Sequence, residues 1–457
     1  MKIKYTKFWI LSIFMLGLGG PGTNLHAQAS TSDVQDLQAR VARLEAELAQ
    51  ARQQLQDAQS TATEAEERAE AAEAKLEQAN DTGPRKINIG NFAIGGAIRA
   101  NYTIGDYSSG EGPSRGGDGG DFALDTFRIN VDYQNDKLIG KLEYRWYPGY
   151  NFLHTGWVGY QLDEDTQIQV GVNRVPFGPG PYGVSNSWFF DQHYYVGLSD
   201  DMDLGVKYST VLGNWSIDLA YYVSDEGQWR GASKDAARYS YDIIKNNNGN
   251  GYEERNQFNA RAIYTFEGDS FLTAAGASFQ YGQLDAAGTT GSDGDAAAVS
   301  VHAKGKVADF NIAAQLTYYD YDINGDNEWG TSDLVFMGAY DFAWPVATKA
   351  WIPAVTVSYT ITPESLDWLD SVTPYVEYSN IMKDNGDFND SAMFIVGAAW
   401  WRGGWYIYTD LAYSNGNYFV GSDGDVYNDS YDGVGDFGIN GNDKWNMRFN
   451  INFGYYF

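Results

Sequence analysis

Arg99, Arg128, Arg145 and Arg261 each stand in a run where every second side chain is apolar, and each falls on the polar side of its run. A guanidinium presents a planar fork of donors that matches a carboxylate or a phosphate. Several on one surface would make an anion-binding wall. Lys141, Lys207, Lys304, Lys306 and Arg448 share that phase, as do Asp132, Glu143, Asp203, Asp218, Glu377 and Asp410. The polar face is therefore more basic than acidic, although the whole chain carries a formal charge of −29. The acid excess lies between the runs, in GGDGGD, SDDMD, GSDGD and DYDINGDNE. The plainer alternative is that these charges pair across neighbouring strands and keep the face wet.

The stretch RVPFGPGPYGVSNSWFFDQHYY, within residues 173–201, contains Pro176, Pro179 and Pro181 and cannot pair as a regular strand. Arg174, Pro176, Phe177, Trp188, Phe189, Phe190, Asp191 and His193 are its candidate functional residues. Its rings would offer a sugar a stacking surface, or else anchor the segment to a wall. Asp320, Asp322, Asn324 and Asp326, with Gly325, read as the start of a D-x-D-x-N-G calcium loop, but Thr331 stands where a bidentate glutamate belongs. A weakly bound divalent cation at these loops and simple solvated carboxylates are the two readings. No other cofactor is implied. Of the four histidines, His26 falls in the leader, His154 and His193 in or beside loops, and His302 in a strand. None has a recognisable spacing from a serine or aspartate, so no catalytic role is expected.

The elements that would position these residues are strands. The chain ends on WNMRFNINFGYYF, with Trp445, Met447, Phe449, Ile451, Phe453, Tyr455 and Phe457 on one side. Thirteen residues of strict alternation give the period of two of a strand with one apolar and one polar face. From residue 87 onward the same period recurs in seventeen candidate strands, with very short connections alternating with long ones. Keeping that alternation to the end makes 363–370 a short-side turn and leaves 333–341 inside a long loop. Sixteen strands remain. After the first twenty residues no uncharged stretch is long enough for a membrane helix. A closed antiparallel barrel is the other structure that satisfies its own backbone in lipid.

The N-terminal part reads differently. Lys2, Lys4 and Lys7, an apolar run from Phe8 to Leu18, and Ala27-Gln28-Ala29 form a secretory leader over 1–29. Apolar residues from Val34 to Ala79 then alternate three and four apart for seven heptads, which predicts a parallel coiled coil over 30–82. Gly83 and Pro84 break it in a linker at 83–86, and the barrel takes 87–457. The absence of cysteine fits an envelope protein.

A leader, about sixteen alternating strands, a long connection between the fifth and sixth, and a final Gly454-Tyr455-Tyr456-Phe457 resemble a Gram-negative outer-membrane porin. The N-terminal heptads followed by KINIGNFAIGGAIRANY and RVPFGPGPYG are similar to the porin O and P type and to DcaP-like trimers. The resemblance implies an outer-membrane homotrimer whose coiled coil lies in the periplasm and whose last strand is recognised by the barrel-assembly machinery. It also implies a third loop, 173–201, folded inward to narrow a pore for small hydrophilic solutes, with a leaning toward anions. Membrane lipid and lipopolysaccharide would surround it, and peptidoglycan is a candidate partner of the coiled coil; no nucleic acid is expected. A sugar-selective pore and an envelope-tethering barrel are the alternatives.

Overall fold

Alternation becomes architecture in a computed structural model that describes residues 86–106, 120–232, 235–268, 271–325, 330–363, 365–417, 419–421 and 443–457. The chain divides into Met1–Asp81 and Thr82–Phe457, and the described residues belong to the second unit. The leader, the coiled coil and the Gly83-Pro84 break lie outside the described residues.

A short strand, β1 (Ile87–Ile89), folds back on β2 (Phe92–Gly105). Next come β3 (Asp121–Asn135), β4 (Leu138–Tyr147), β5 (Tyr150–Gln161), β6 (Thr166–Arg174), β7 (Met202–Leu212) and β8 (Trp215–Asp225). A two-residue strand, β9 (Asp242–Ile243), interrupts the series before β10 (Gly251–Thr265), β11 (Leu272–Ala287), β12 (Gly294–Val307) and β13 (Phe310–Asp322). The hairpin β14 (Leu334–Ala339) and β15 (Phe342–Ala347) precedes β16 (Lys349–Tyr359), β17 (Ser371–Lys383), β18 (Ser391–Arg402), β19 (Trp405–Ser414) and β20 (Asn446–Tyr456). Every large-sheet pairing is antiparallel, β8 bonds to β10, and β20 bonds back to β2. The result is a closed barrel of sixteen strands, with β1 appended to β2.

The hairpin of β14 and β15 stays out of the barrel and pairs with β9 as a separate three-stranded sheet. The turn alternation places 333–341, which contains β14, outside the barrel; it does not anticipate the second strand at Phe342–Ala347. One boundary differs: β4 and β5 are joined only by Pro148 and Gly149, not by a longer loop reaching past His154. Gly149 takes a positive φ of 93°, which permits so tight a turn. His154 therefore sits within β5 and is buried.

The outside of the barrel is apolar. Val158, Val301 and Leu219 are 64%, 58% and 51% exposed, on the face that the alternation assigns to lipid. Inside, the core is made of loops as well as wall. Val175, Phe177, Phe189 and Tyr194 to Leu198 from the third loop pack with Tyr241, Ile243, Val335, Met337, Trp344, Phe419 and wall residues into one cluster. This cluster includes wall residues of strands from β8 to β19. The space left beside β2 to β5 contains the candidate site.

Candidate functional site

The third loop, 175–201, leaves β6 and crosses the lumen to the opposite wall. Gly178 N donates to Ser278 Oγ at 3.0 Å on β11, and His193 Nε2 lies 2.8 Å from Thr317 Oγ1 on β13. Ser185 Oγ donates to Glu377 Oε2 at 2.6 Å on β17, and Asn186 Nδ2 to Thr356 Oγ1 at 2.9 Å on β16. Trp188 N donates to Asp410 Oδ2 at 3.2 Å on β19. Buried backbone donors need partners. The inward carboxylates of Glu377 and Asp410 supply them, so these two wall acids hold the loop.

This separates the loop candidates by role. Trp188 and Phe190 turn toward open space. Phe177, Phe189, Asp191 and His193 are buried. Arg174, the last residue of β6, donates to Asp200 Oδ1 at 2.7 Å, tying the loop's two ends together, and Pro176 follows at the start of the crossing. Asp191 Oδ1, His193 and Thr317 stand in carboxylate, imidazole, hydroxyl order, with the carboxylate 2.9 Å from Nδ1. That order is the one a nucleophilic triad uses, and the sequence reading did not find it. His193 and Thr317 are both 0% exposed, so no substrate reaches them, and the contact serves as an anchor.

Two cavities, of about 560 Å³ and 330 Å³, flank a shared waist formed by Arg99 on β2, Arg145 on β4, Trp188, Phe190 and Tyr239. The larger reaches the long-loop end through Tyr147, Tyr150, Tyr340 and Phe419. The smaller reaches the short-turn end through Arg128, Trp401, Tyr406 and Tyr456. Arg448 joins the larger cavity and donates to Phe419 O at 2.8 Å.

None of Arg99, Arg128, Arg145 and Arg261 stands without a carboxylate. Arg99 pairs with Asp125 and Arg261 with Asp218 at 2.7 Å. Arg128 and Arg145 are directly opposite in register, and Glu143 lies between them at 3.3 and 2.6 Å. Without that carboxylate two like charges would face each other across the strands. In each of these pairs the guanidinium is the more exposed partner: 19% against 15% for Arg99 and Asp125, and 20% against 8% for Arg261 and Asp218. Asp125 lines the larger cavity beside Arg99, whereas Glu143 lines neither cavity and leaves Arg128 and Arg145 facing the open space. Rings lie against them: Arg145 over Tyr239 at 4.5 Å, Arg99 and Arg448 over Trp188 at 5.7 and 5.2 Å, and Arg128 over Tyr456 at 4.9 Å.

Lys207, further along the interior, donates to Arg174 O at 2.8 Å, and Lys141 pairs with Asp132 at 3.7 Å near a short turn. Neither lines the waist. The described candidate cation ligands have partners of their own or stand at a strand end. Lys349 holds Asp320 at 3.0 Å, Asn324 donates to Ser292 O at 3.0 Å, Asp322 ends β13, and Asp326 lies outside the described residues.

Sequence reasoning missed Asp125, Asp200 and Tyr239. Asp125 has the lipid-facing parity of β3, but a register shift opposite Arg99 and Ala100 turns it inward. Asp200 and Tyr239 lie in loops, where alternation carries no information.

No family model matches this chain, and no curated protein does. Among solved structures it is similar to OmpT, an outer-membrane protein of Vibrio cholerae in a trimer form, at 16% identity and a TM-score of 0.51 over 81% of this chain and 100% of that one. It is also similar to the outer-membrane channel DcaP of Acinetobacter baumannii, at 12% identity and a TM-score of 0.50 over 80% of this chain and 97% of that one. At these identities the likeness is one of fold.

Proposed function

We propose that this chain is an outer-membrane porin, a passive channel for small hydrophilic solutes with a preference for anions. The observation that carries this reading is the pair of cavities on either side of one arginine-and-aromatic waist, inside a closed barrel with an apolar exterior. An anion passing the waist would meet Arg99 and Arg145, with Arg448 in the larger cavity; Glu143 lines neither cavity, while Asp125 lines the larger one beside Arg99. Selectivity follows the charges that line a constriction rather than the net charge of the chain. The acidic loops would then set the far field and the approach of ions. No step of bond making is required of any residue.

The third loop is the constriction in this reading, with Trp188 and Phe190 at its edge, and Glu377 and Asp410 as its anchors. The same reading assigns a homotrimer of the porin O and P or DcaP-like kind, in contact with lipid and lipopolysaccharide and assembled through its terminal strand. A periplasmic coiled coil would reach toward peptidoglycan. A sugar-selective pore is the second reading, favoured by Tyr147 and Tyr150, whose rings stack at 5.3 Å on the wall of the larger cavity.

The deciding experiment is the zero-current potential of the purified protein in a planar bilayer under a KCl gradient. A sign reporting chloride preference supports the arginine waist. Potassium preference overturns the anion reading, and the absence of conductance from a folded trimer overturns the channel in favour of a tether. Block of the current by neutral sugars, with no ion preference, supports the second reading.

A further inference from the structure

Away from the waist, the root of the third loop and the base of the fourth, which joins β8 to β10, meet in a buried group of acids. Asp201 closes the third loop, Asp203 points inward from β7, and Asp242 belongs to β9. One carboxylate oxygen from each lies within 4.8 Å of the other two. Asp225, Glu226 and Glu254 border them. The basic side chain ion-paired with this group among the described residues is Arg238, which contacts Asp225 at 2.7 Å and Asp242 at 2.6 Å. Three of these six carboxyl groups, Asp225, Glu226 and Asp242, pair with the one guanidinium.

Donors are in short supply. Glu226 Oε1 accepts from Ser240 N at 2.8 Å, Glu254 Oε1 from Ile243 N at 2.8 Å, and Asp203 Oδ2 from Gln257 Nε2 at 2.8 Å. Asp201 Oδ1, Asp203 Oδ1 and Glu226 Oε2 are enclosed and accept no hydrogen bond. The Glu226 side chain is 0% exposed, and the nearest cation to its Oε2 is Arg238 at 3.9 Å. A buried carboxylate oxygen without a donor is costly unless a proton or a cation answers it.

We propose that Asp201, Asp203 and Asp242, with Glu226 at their edge, bind a hard divalent cation of the calcium type. The donor set is oxygen only, which suits Ca²⁺ rather than a thiolate- or imidazole-seeking metal. Ca²⁺ takes oxygens at about 2.3–2.6 Å, so two ligands of one ion stand at most ~5 Å apart. The trio meets that limit. A bound cation clasps the end of the third loop to the fourth, whose Tyr239 forms part of the waist. The site differs from the Asp320 to Asp326 stretch in sequence and place.

The test uses full-length protein refolded in detergent without lipopolysaccharide, stripped with EDTA and titrated with Tb³⁺, whose luminescence nearby tyrosines such as Tyr239, Tyr241 and Tyr252 would sensitise. The expected result is tyrosine-sensitised emission that Ca²⁺ displaces and K⁺ does not. Combined Asp201→Asn and Asp242→Asn should weaken it at least about tenfold, while Asp320→Asn with Asp322→Asn should leave it unchanged. Equal emission from the wild type and the Asp201/Asp242 variant would assign binding to the exposed acidic loops and overturn the site. Should that variant fail to fold, hydrogen exchange of the wild type decides. Ca²⁺ should protect 198–204 and 239–244 against exchange relative to EDTA, and equal exchange in both overturns the site.

Discussion

The guanidinium carbon of Arg145 stands 4.5 Å from the ring centroid of Tyr239. One residue belongs to a wall strand and the other to the fourth loop, so wall and loop close the waist together. Glu143 takes Arg145's Nε and Nη2 at 2.6 Å each, which leaves the guanidinium face for the ring and its edge for the cavity.

Replacing Arg145 with Gln removes the cation but leaves Glu143, still held by Arg128 at 3.3 Å. A unit charge ~4 Å from a passing ion in a water-filled passage is worth about 1 kcal/mol, roughly fivefold in relative permeability. The zero-current potential of Arg145→Gln should move toward cation preference by about that factor, and Arg99→Gln should move it the same way. Arg261 pairs with Asp218 away from the waist, so Arg261→Gln should move it little. Equal shifts in all three would mean that no single waist sets selectivity.

Among the wall groups that hold the third loop, Glu377 takes two loop residues, Ser185 and Asn186. Its oxygens accept from Ser185 Oγ at 2.6 Å, Thr356 Oγ1 at 3.2 Å and the backbone of Asn186. In Glu377→Ala these buried donors lose their acceptor, at about 1–3 kcal/mol. The loop should leave the wall part of the time, giving noisier single-channel current and admitting larger polyethylene glycols. Glu377→Gln keeps an acceptor oxygen and should fall between the two. Quiet, wild-type-sized channels from Glu377→Ala would show that the other anchors suffice.

The strand count and the exclusion of 333–341 from the barrel follow from period and turn alternation, while the inward crossing of the third loop is implied by the family resemblance. The arginines were visible by parity, and so were Glu143 and Asp218 among their partners, but Asp125 was not. Asp125 needed a bulge that no residue type announces, and Asp200 and Tyr239 needed the path of two loops. For lysines with the right parity, such as Lys141, alternation fixes the face and leaves depth to the shear of the barrel.

Burial beside Asp242 raises the Glu226 carboxyl well above the ordinary carboxylate range, and burial raises Asp201 and Asp242 as well. The native state then holds more protons than the unfolded chain, so stability is full below the ordinary pKa and falls as pH rises through the raised one. Asp203, Asp225, Glu254 and Arg238 face the same volume. Thermal unfolding in EDTA should therefore come at lower temperature at about pH 8 than at about pH 5. Ca²⁺ should flatten that dependence, because a bound cation favours the ionised carboxylates. A pH dependence in EDTA that Ca²⁺ leaves unchanged would mean that the acids answer to protons alone.

Barrel closure ends on Phe457. Its N donates to Gly96 O at 3.0 Å, its O accepts from Gly96 N at 2.9 Å, and its ring stacks on Phe127 at 6.3 Å. Gly96 makes room, since a Cβ there would stand 2.4 Å from Arg128 O and 2.6 Å from the Phe457 ring. Phe457→Ala should lose the ring contact and keep both backbone bonds. Deleting Phe457 loses both, and each net hydrogen bond is worth about 1 kcal/mol. Gly96→Val should displace the terminal residue from the other side. Urea unfolding midpoints should therefore fall from wild type to Phe457→Ala to the deletion, with Gly96→Val near the deletion. A deletion as stable as the wild type would mean that pairing over 97–105 and 448–456 closes the barrel unaided.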